Sequence, residues 1–144
     1  AGIFDYESPY AISEKEIVNL ASNNSITWLG QRDDIVQLII DSDVVALPST
    51  YGEGVPRILI EACFIGRPII TTPLGGCKDV CIDNKNGFLV NPSDPDSIVT
   101  SLKIIYKNRD LVTQFGRYSR QLVEEKFSNN KIIEQNLGFY NEIS

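Results

Sequence analysis

The sequence predicts an α/β domain whose core is a parallel sheet, doubly wound in the Rossmann-like manner, with helices on both faces. Its strand candidates, such as residues 44–47 and 68–72, are short and continuously apolar, whereas half-exposed strands alternate apolar and polar residues. Helical patterns separate these runs, which is the order of a parallel sheet. The length of 144 residues and a hydrophobic content of 42% suit one compact domain over residues 1–144.

The first quarter of the chain predicts two helices around one strand. Ser13 and Glu16 form a capping box that starts a helix ending near residue 22. The apolar run at 26–29, which Gly30 follows, predicts a buried strand. Asp33 or Asp34 then caps a second helix, in which apolar residues recur at helical spacing.

Three more strands are predicted at 44–47, 68–72 and 88–90, with helices at 56–64 and near 77–79 between them. Gly66 stops the longer of these helices. Helices starting at Asp94, Asp110 and Ser128 give a helical C-terminus. The residues expected to face the core include Ile98, Leu102, Ile105, Phe115, Trp28, Tyr106, Tyr118 and Tyr140.

Composition removes several classes of function. The chain has no histidine, which excludes Ser-His-Asp and Cys-His nucleophiles and His-ligated zinc. A formal net charge of −6 argues against a nucleic-acid partner. The three cysteines, Cys63, Cys77 and Cys81, are expected to be buried packing residues in a reducing cytosol, and neither a metal site nor a cofactor is expected.

Residues 47–61, LPSTYGEGVPRILIE, are the densest candidate for chemistry because they connect a strand end to the first turns of a helix. Ligands of open α/β sheets bind at the carboxyl ends of strands, and a helix N-terminus there suits a phosphate group. Gly54 lets the backbone approach a ligand closely, and Pro56 has no N–H, so Val55 and Arg57 are the candidate donors.

Two carboxylates of different setting, Glu53 in the loop and Glu61 in the helix, could take different tasks. Each also has a plain structural interpretation, since Glu53 could favour the helix dipole and Glu61 could be solvated. The residues of the next strand end, Thr71, Thr72, Gly75 and Gly76, could approach the ligand or could form a turn that needs small residues.

The segments EGVPRILIEA, GRPIITTPLGGCKDV and NGFLVNPSDPDSI resemble the family 4 retaining glycosyltransferases of GT-B fold, in particular the bacterial surface-polysaccharide branch. The resemblance is strongest from Ile26 to about Phe127 and concerns the C-terminal, donor-binding half of that fold. It implies a nucleotide-sugar donor, typically a UDP-sugar, a glycan or lipid-linked acceptor, and no metal.

The same resemblance implies roles for individual residues. Glu53 matches the glutamate that faces the donor sugar and is the catalytic candidate, and Glu61 matches the one that accepts hydrogen bonds from the ribose. The stretch Gly54–Val55–Pro56–Arg57 matches the surroundings of the donor diphosphate. Gln31 and Arg32 match a turn near the nucleotide base.

We expect the chain to be a piece of a longer enzyme, without the N-terminal acceptor domain and the first strand–helix unit, and inactive alone. Its apolar C-terminal positions, including Phe139 and Ile143, could promote self-association. The resemblance implies a cytoplasmic enzyme, with the whole protein peripheral to the inner face of the membrane as an option. A nucleotide-sugar epimerase of related fold and a non-catalytic α/β interaction module are the alternatives.

Overall fold

The computed structural model describes residues 12–22, 26–52 and 54–127. The chain divides into two units, Ala1–Ile35 and Val36–Ser144. In chain order the elements are α1 (Glu14–Ser22), α2 (Ile35–Asp41), β1 (Val45–Leu47), α3 (Arg57–Ile65), β2 (Ile69–Thr71), α4 (Cys77–Val80), β3 (Gly87–Leu89), α5 (Pro95–Lys107) and α6 (Asp110–Lys126).

The first unit contains α1, whose start is the predicted capping box. Glu16 accepts a hydrogen bond from the Ser13 N–H at 2.9 Å, and the Glu16 N–H donates to the Ser13 hydroxyl at 3.3 Å. The Ser13 hydroxyl also donates to the Glu16 carboxylate at 2.6 Å, and this bond, together with the bond from the Ser13 N–H, favours the charged carboxylate and lowers the pKa of Glu16. The strand predicted at 26–29 is wrong: this segment pairs with no strand of the described chain, and Ile26 and Leu29 are exposed.

In the second unit the three described strands form one parallel sheet, as predicted, and their order in it is β1-β2-β3. Ile69 pairs with Val45 on one side and with Gly87 on the other. All three residues of the central strand β2 are buried, which explains its continuous apolar sequence. The carboxyl ends of the three strands therefore lie along one edge of the sheet.

Two glycines allow α3 and α6 to pack closely. Gly66 ends α3 in the left-handed conformation at φ 81°, a backbone geometry that glycine adopts without strain. A Cβ atom added at Gly116 of α6 would lie 2.2 Å from the Gly66 carbonyl oxygen. The absence of a side chain at Gly116 is thus a requirement of the helix contact.

The core cluster of the second unit lies between the sheet and the two last described helices, with Phe88 of β3 meeting Phe115 of α6 edge to face at 5.5 Å. Asp94 caps α5 as predicted, since its carboxylate accepts from the Ser97 N–H at 3.1 Å. The predicted core residues Ile98, Ile105 and Phe115 pack there. The helix predicted from Ser128, with Tyr140, Phe139 and Ile143, lies outside the described residues.

Three predicted core positions are wrong. Leu102 is 42% exposed, Tyr106 is 78% exposed and Tyr118 is 36% exposed. The buried face of α5 contains Ser101 and Ile105. Leu102 and Tyr106 each follow one of these residues in the sequence and therefore lie outside that face. Trp28 of the first unit is partly buried. The expectation for the cysteines is confirmed, because Cys63, Cys77 and Cys81 are free and buried.

Candidate functional site

The segments that follow β1 and β2 are joined by hydrogen bonds at the carboxyl edge of the sheet. The buried Thr71 hydroxyl donates a hydrogen bond to the Leu47 carbonyl at 2.7 Å. The buried Thr72 hydroxyl donates to the Ser49 carbonyl, also at 2.7 Å. These bonds fix the start of the segment 48–56, which leads into α3. The two threonines act here through the backbone of the neighbouring loop.

A second contact supports the same segment from the loop after β2. Gly75 adopts φ +51°, so the predicted turn of small residues is present. A Cβ atom added at the next residue, Gly76, would lie 2.6 Å from the Val55 nitrogen and 2.7 Å from the Gly54 carbonyl carbon. Gly76 therefore lets the backbone of the Gly54–Val55 stretch rest directly on the turn.

The N-terminus of α3 opens beside this stretch. Pro56 is the N-cap residue, with no side-chain capping bond, and its carbonyl accepts from the N–H of Leu59 and of Ile60 at 3.1 and 3.4 Å. Within the described part of the chain, the N–H groups of Arg57 and Ile58 have no acceptor. A helix end with free N–H groups and a partial positive charge attracts anions.

Two glycines beside this helix end are not covered by other described residues. A Cβ atom added at Gly54 would meet no heavy atom within 4 Å, and the same holds at Gly52. Val55 is exposed, whereas Pro56 is buried and anchors the segment. The Gly54–Arg57 stretch thus offers backbone to a ligand on one side while Gly76 supports it on the other.

Glu61 lies on α3 one turn beyond Arg57, and the two side chains form an ion pair. Arg57 Nε donates to Glu61 Oε1 at 2.7 Å. The Arg57 side chain is 91% exposed, whereas that of Glu61 is 27% exposed. Glu61 is therefore not freely solvated, and its carboxylate already has a cationic partner at the edge of the sheet.

The other predicted site residues lie in the first unit or outside the described residues. Gln31 and Arg32 are exposed residues of the first unit. The Arg32 guanidinium makes a two-pronged contact with Asp34, with Nε to Oδ1 at 2.7 Å, which lowers the pKa of that carboxyl. Glu53, the catalytic candidate, lies outside the described residues.

A cavity of about 220 Å³ lies farther along the same edge, where the segments after β1 and β3 meet. Its walls include Thr50, Asn91, Ser93 and Asp94. Among the residues that the structure describes, no group of three His, Cys, Asp or Glu side chains could hold a metal ion. No described helix is long and apolar enough to cross a membrane.

Sequence reasoning did not identify how the site is supported. The Thr72 hydroxyl donates to the backbone carbonyl of Ser49. Every residue type has such a carbonyl, so the residue type at position 49 gave no indication of this contact. Gly76 did carry one, because a glycine pair directly after an apolar strand marks a close backbone approach. The pattern left open whether the approaching partner was a ligand or the protein itself.

Comparison with known proteins places this fold in a class. The family model for glycosyl transferases group 1 matches residues 8–122. The capsular polysaccharide biosynthesis glycosyltransferase CapM of Staphylococcus aureus is 27% identical over 94% of this chain and 35% of its own length. The chain spans about a third of the length of such curated relatives.

Solved structures agree with the family model. A glycosyltransferase from Rickettsia africae is 28% identical and superposes with a TM-score of 0.81 over 90% of this chain and 35% of its own. Staphylococcus aureus TarM, in a mutant form complexed with fondaparinux, alpha-GlcNAc-glycerol and UDP, is 26% identical with a TM-score of 0.77 over 88% of this chain and 26% of its own.

Parallel strands, helical connections and these neighbours define an α/β domain of the GT-B glycosyltransferase class. The chain belongs to the family of group 1 glycosyl transferases. The resemblance that the sequence motifs indicated is thereby confirmed.

Proposed function

We propose that this chain is the donor-binding portion of a retaining glycosyltransferase that moves a sugar from a nucleotide-sugar to a glycan or lipid-linked acceptor. The observation that carries the proposal is the open N-terminus of α3, which stands at the carboxyl edge of the sheet with the Arg57–Glu61 pair beside it. Family membership supplies the class of reaction. The UDP bound to TarM supports a uridine nucleotide as the donor's leaving group.

The donor diphosphate would lie against the start of α3. The free N–H groups of Arg57 and Ile58 and the helix dipole favour negative charge at this point. Negative charge on the diphosphate increases as its bond to the sugar breaks, so donors fixed in advance stabilise the transition state more than the bound substrate. The backbone of Gly54 and Val55 completes the contact from the loop.

Glu61 would accept hydrogen bonds from the ribose hydroxyls. It is the less exposed member of its ion pair, and Arg57 holds its carboxylate on the side of the helix that begins the site. A carboxylate that is held in one place accepts two neighbouring hydroxyl groups without a further loss of side-chain freedom. Arg57 is then also close enough to the helix start to balance charge from the diphosphate.

Glu53 would face the transferred sugar, a role that rests on the match of its motif. Transfer breaks the bond between the anomeric carbon and the diphosphate oxygen and forms a bond to an acceptor hydroxyl, which gives up its proton. Gln31 and Arg32 would lie near the nucleotide base. We propose that no metal takes part.

The acceptor would be bound by a part of the whole enzyme that lies outside this chain, and the chain alone would not turn over. We propose a cytoplasmic enzyme. The remaining predictions, a peripheral position at the membrane and self-association through the C-terminal segment, stay predictions.

Ligand-detected NMR of the chain with UDP, GDP, ADP and UDP-sugars tests the proposal directly. We expect contact with UDP and UDP-sugars, with saturation transfer strongest at the ribose. Glu61→Gln should weaken it by about tenfold, as expected for the loss of a charge-assisted hydrogen bond. Glu124→Gln, which removes an exposed carboxylate from α6, is the matched control and should leave the contact unchanged.

Each outcome of this experiment supports or contradicts the proposed donor site. Contact with UDP that Glu61→Gln weakens and Glu124→Gln does not would support the donor site. Equal effects of the two variants would show that Glu61 has no specific role. If no nucleotide binds even to a longer protein that joins this chain to the proposed acceptor domain, the donor-site proposal is wrong.

A further inference from the structure

A second pocket lies at the opposite edge of the sheet from the candidate donor site. It has a volume of about 290 Å³ and is formed where the end of α3 meets α6, just before the first residue of β2. Its lining includes Arg67, Arg117, Arg120, Thr113, Gly66 and Gly116. Among the described residues no carboxylate lines it, although acidic residues outnumber basic ones by 19 to 13 in the sequence.

The arginines of this pocket differ from the others in the chain. The sequence contains six arginines, and three of them form ion pairs with carboxylates: Arg32 with Asp34, Arg57 with Glu61, and Arg109 with Asp43. The three that line the pocket have no carboxylate oxygen within 4.0 Å in the described ranges. Half of the arginines of an acidic chain thus line one pocket without forming an ion pair in the described ranges.

Two of these arginines are held in place by helix ends. Arg120 Nη2 donates to the Ile65 carbonyl at the end of α3 at 2.8 Å. Arg67 Nη2 donates to the Ile40 carbonyl near the end of α2. Each helix end carries about −0.5 of a charge, so three guanidinium groups leave a surplus of about +2 in the pocket. The carbonyl contacts fix the arginines and do not neutralise them.

Donor groups also remain unused. A guanidinium has five N–H donors, and Arg67 Nε is buried without a hydrogen-bond partner in the described residues. Arg117 is exposed and has no side-chain partner there. Asp43 also attracts Arg67, but the Asp43 carboxylate is already paired with Arg109 at 2.5 Å. The pocket therefore combines surplus charge, free donors and the Thr113 hydroxyl.

We propose that the pocket between α3 and α6 binds a phosphate group through Arg67, Arg117 and Arg120. Tetrahedral phosphate oxygens accept paired N–H bonds from guanidinium forks, and a site of three arginines suits a phosphomonoester or a pyrophosphate. The volume admits such a group with its first substituent atoms. Because this edge of the sheet is opposite the donor edge, the site is separate from the one proposed for the nucleotide-sugar.

The phosphate could belong to a soluble molecule or to a lipid headgroup, and two arms of one experiment distinguish them. In the first arm, the ¹⁵N-labelled chain is titrated with inorganic phosphate and with pyrophosphate while amide shifts are followed by NMR. In the second, the chain is sedimented with phosphatidylglycerol vesicles and with phosphatidylcholine vesicles. Saturable shifts at Gly66, Thr113 and Gly116 locate the site independently of the amides at the start of α3.

Arg117→Gln is the decisive variant, since the Arg117 side chain makes no hydrogen bond or ion pair with the described residues and we expect its loss to leave the fold intact. It should weaken binding by about tenfold, whereas Lys103→Gln, an equal loss of charge on α5, should not. Soluble phosphate binding with this pattern identifies a soluble ligand, and vesicle binding alone with this pattern identifies a headgroup. Equal effects of the two variants, or no binding up to about 20 mM phosphate and none to either vesicle, would overturn the proposal.

Discussion

Gly76 lies directly against Val55: a Cβ atom at Gly76 would stand only 2.6 Å from the Val55 backbone nitrogen. The contact joins the turn after β2 to the segment that enters α3, and the Thr72–Ser49 hydrogen bond joins the same two loops. The proposed diphosphate position is therefore set by the second strand of the sheet as well as by the first. The loop after β1, which leads into the site, is thus held in place by contacts between its backbone and the loop after β2.

This relationship predicts the effect of Gly76→Ala. Gly76 has ordinary helical dihedral angles, so alanine brings no backbone strain and acts only through its methyl group. The methyl must push the Val55 segment outward, at a cost of about 1–3 kcal/mol for an overpacked contact. We expect UDP affinity to fall by about tenfold, measured by titration and compared with the free energy of unfolding in urea.

Gly54→Ala is the control for the stability measurement alone, because its methyl would meet no heavy atom of the described protein within 4 Å, whereas the Gly54 backbone is itself part of the proposed UDP site. Its free energy of unfolding should stay within about 0.5 kcal/mol of the wild type. If Gly76→Ala lowers neither stability nor affinity, the loop contact does not support the site.

Arg57→Gln should separate stability from ligand binding. An exposed ion pair at this helical spacing contributes only about 0.3–0.5 kcal/mol, and an arginine in the first turn opposes the helix dipole. The free energy of unfolding should hardly change. The variant leaves the Glu61 carboxylate without its cation, next to the proposed diphosphate, so UDP should bind about tenfold more weakly. Calorimetric titration measures the affinity of the variant for UDP and for uridine, the two ligands that the comparison needs.

Uridine has no phosphate and should lose far less affinity than UDP in Arg57→Gln. Glu61→Gln should instead weaken both ligands, because both carry the ribose. Equal losses for the two ligands in Arg57→Gln would mean that the arginine does not act through the diphosphate.

Much of the fold was predictable because its strands are short runs that do not alternate between apolar and polar residues, and because the capping residues Ser13 and Asp94 mark the starts of α1 and α5. The failures come from features that hydrophobicity does not record. At 26–29 the apolar run suggested a strand, but a strand exists only where a neighbour accepts its hydrogen bonds. On α5 the small polar Ser101 lies on the buried face, so a pattern of large apolar residues shifted the expected core to Leu102.

The candidate site was predictable where a motif fixed residue types, and its supports were not. Glu61 and the start of α3 lie where the sequence suggested. The Arg57–Glu61 ion pair joins residues four apart on one helix, a spacing that the sequence does record. The contact from Gly76, in contrast, depends on the distance between two backbone segments, which composition and spacing do not determine. The three-arginine pocket is a further example, since residues 67 and 117 are brought together only by the α3–α6 packing.

The buried cysteines predict a loss of stability at alkaline pH. Burial raises the pKa of the Cys63 thiol to about 11 and that of the Cys81 thiol to about 12. In the unfolded chain a thiol titrates near 8.5, so above that pH the unfolded state releases protons that the folded state keeps. The free energy of unfolding must then fall as pH rises, approaching about 1.4 kcal/mol per pH unit for each thiol until its folded pKa is reached.

Urea unfolding between pH 8 and 10 measures this slope. Cys81→Ala removes one of the two thiols, so its free energy of unfolding should fall less steeply with pH than that of the wild type. A constant offset from lost packing does not affect the comparison. Parallel slopes for the two proteins would show that Cys81 does not contribute.

Gly116→Ala sets helix propensity against packing. In the middle of α6, alanine should stabilise the helix by about 1 kcal/mol relative to glycine. Its methyl, however, would lie 2.2 Å from the Gly66 carbonyl oxygen and would force α6 away from α3. Overpacking of this kind costs about 1–3 kcal/mol and more where backbone must move, so we expect net destabilisation.

Gly52→Ala, whose methyl meets no heavy atom within 4 Å, should leave stability unchanged or slightly raised. Thermal and urea unfolding of the two variants give the sign, and a stabilised Gly116→Ala protein would mean that the close α3–α6 contact is absent in solution.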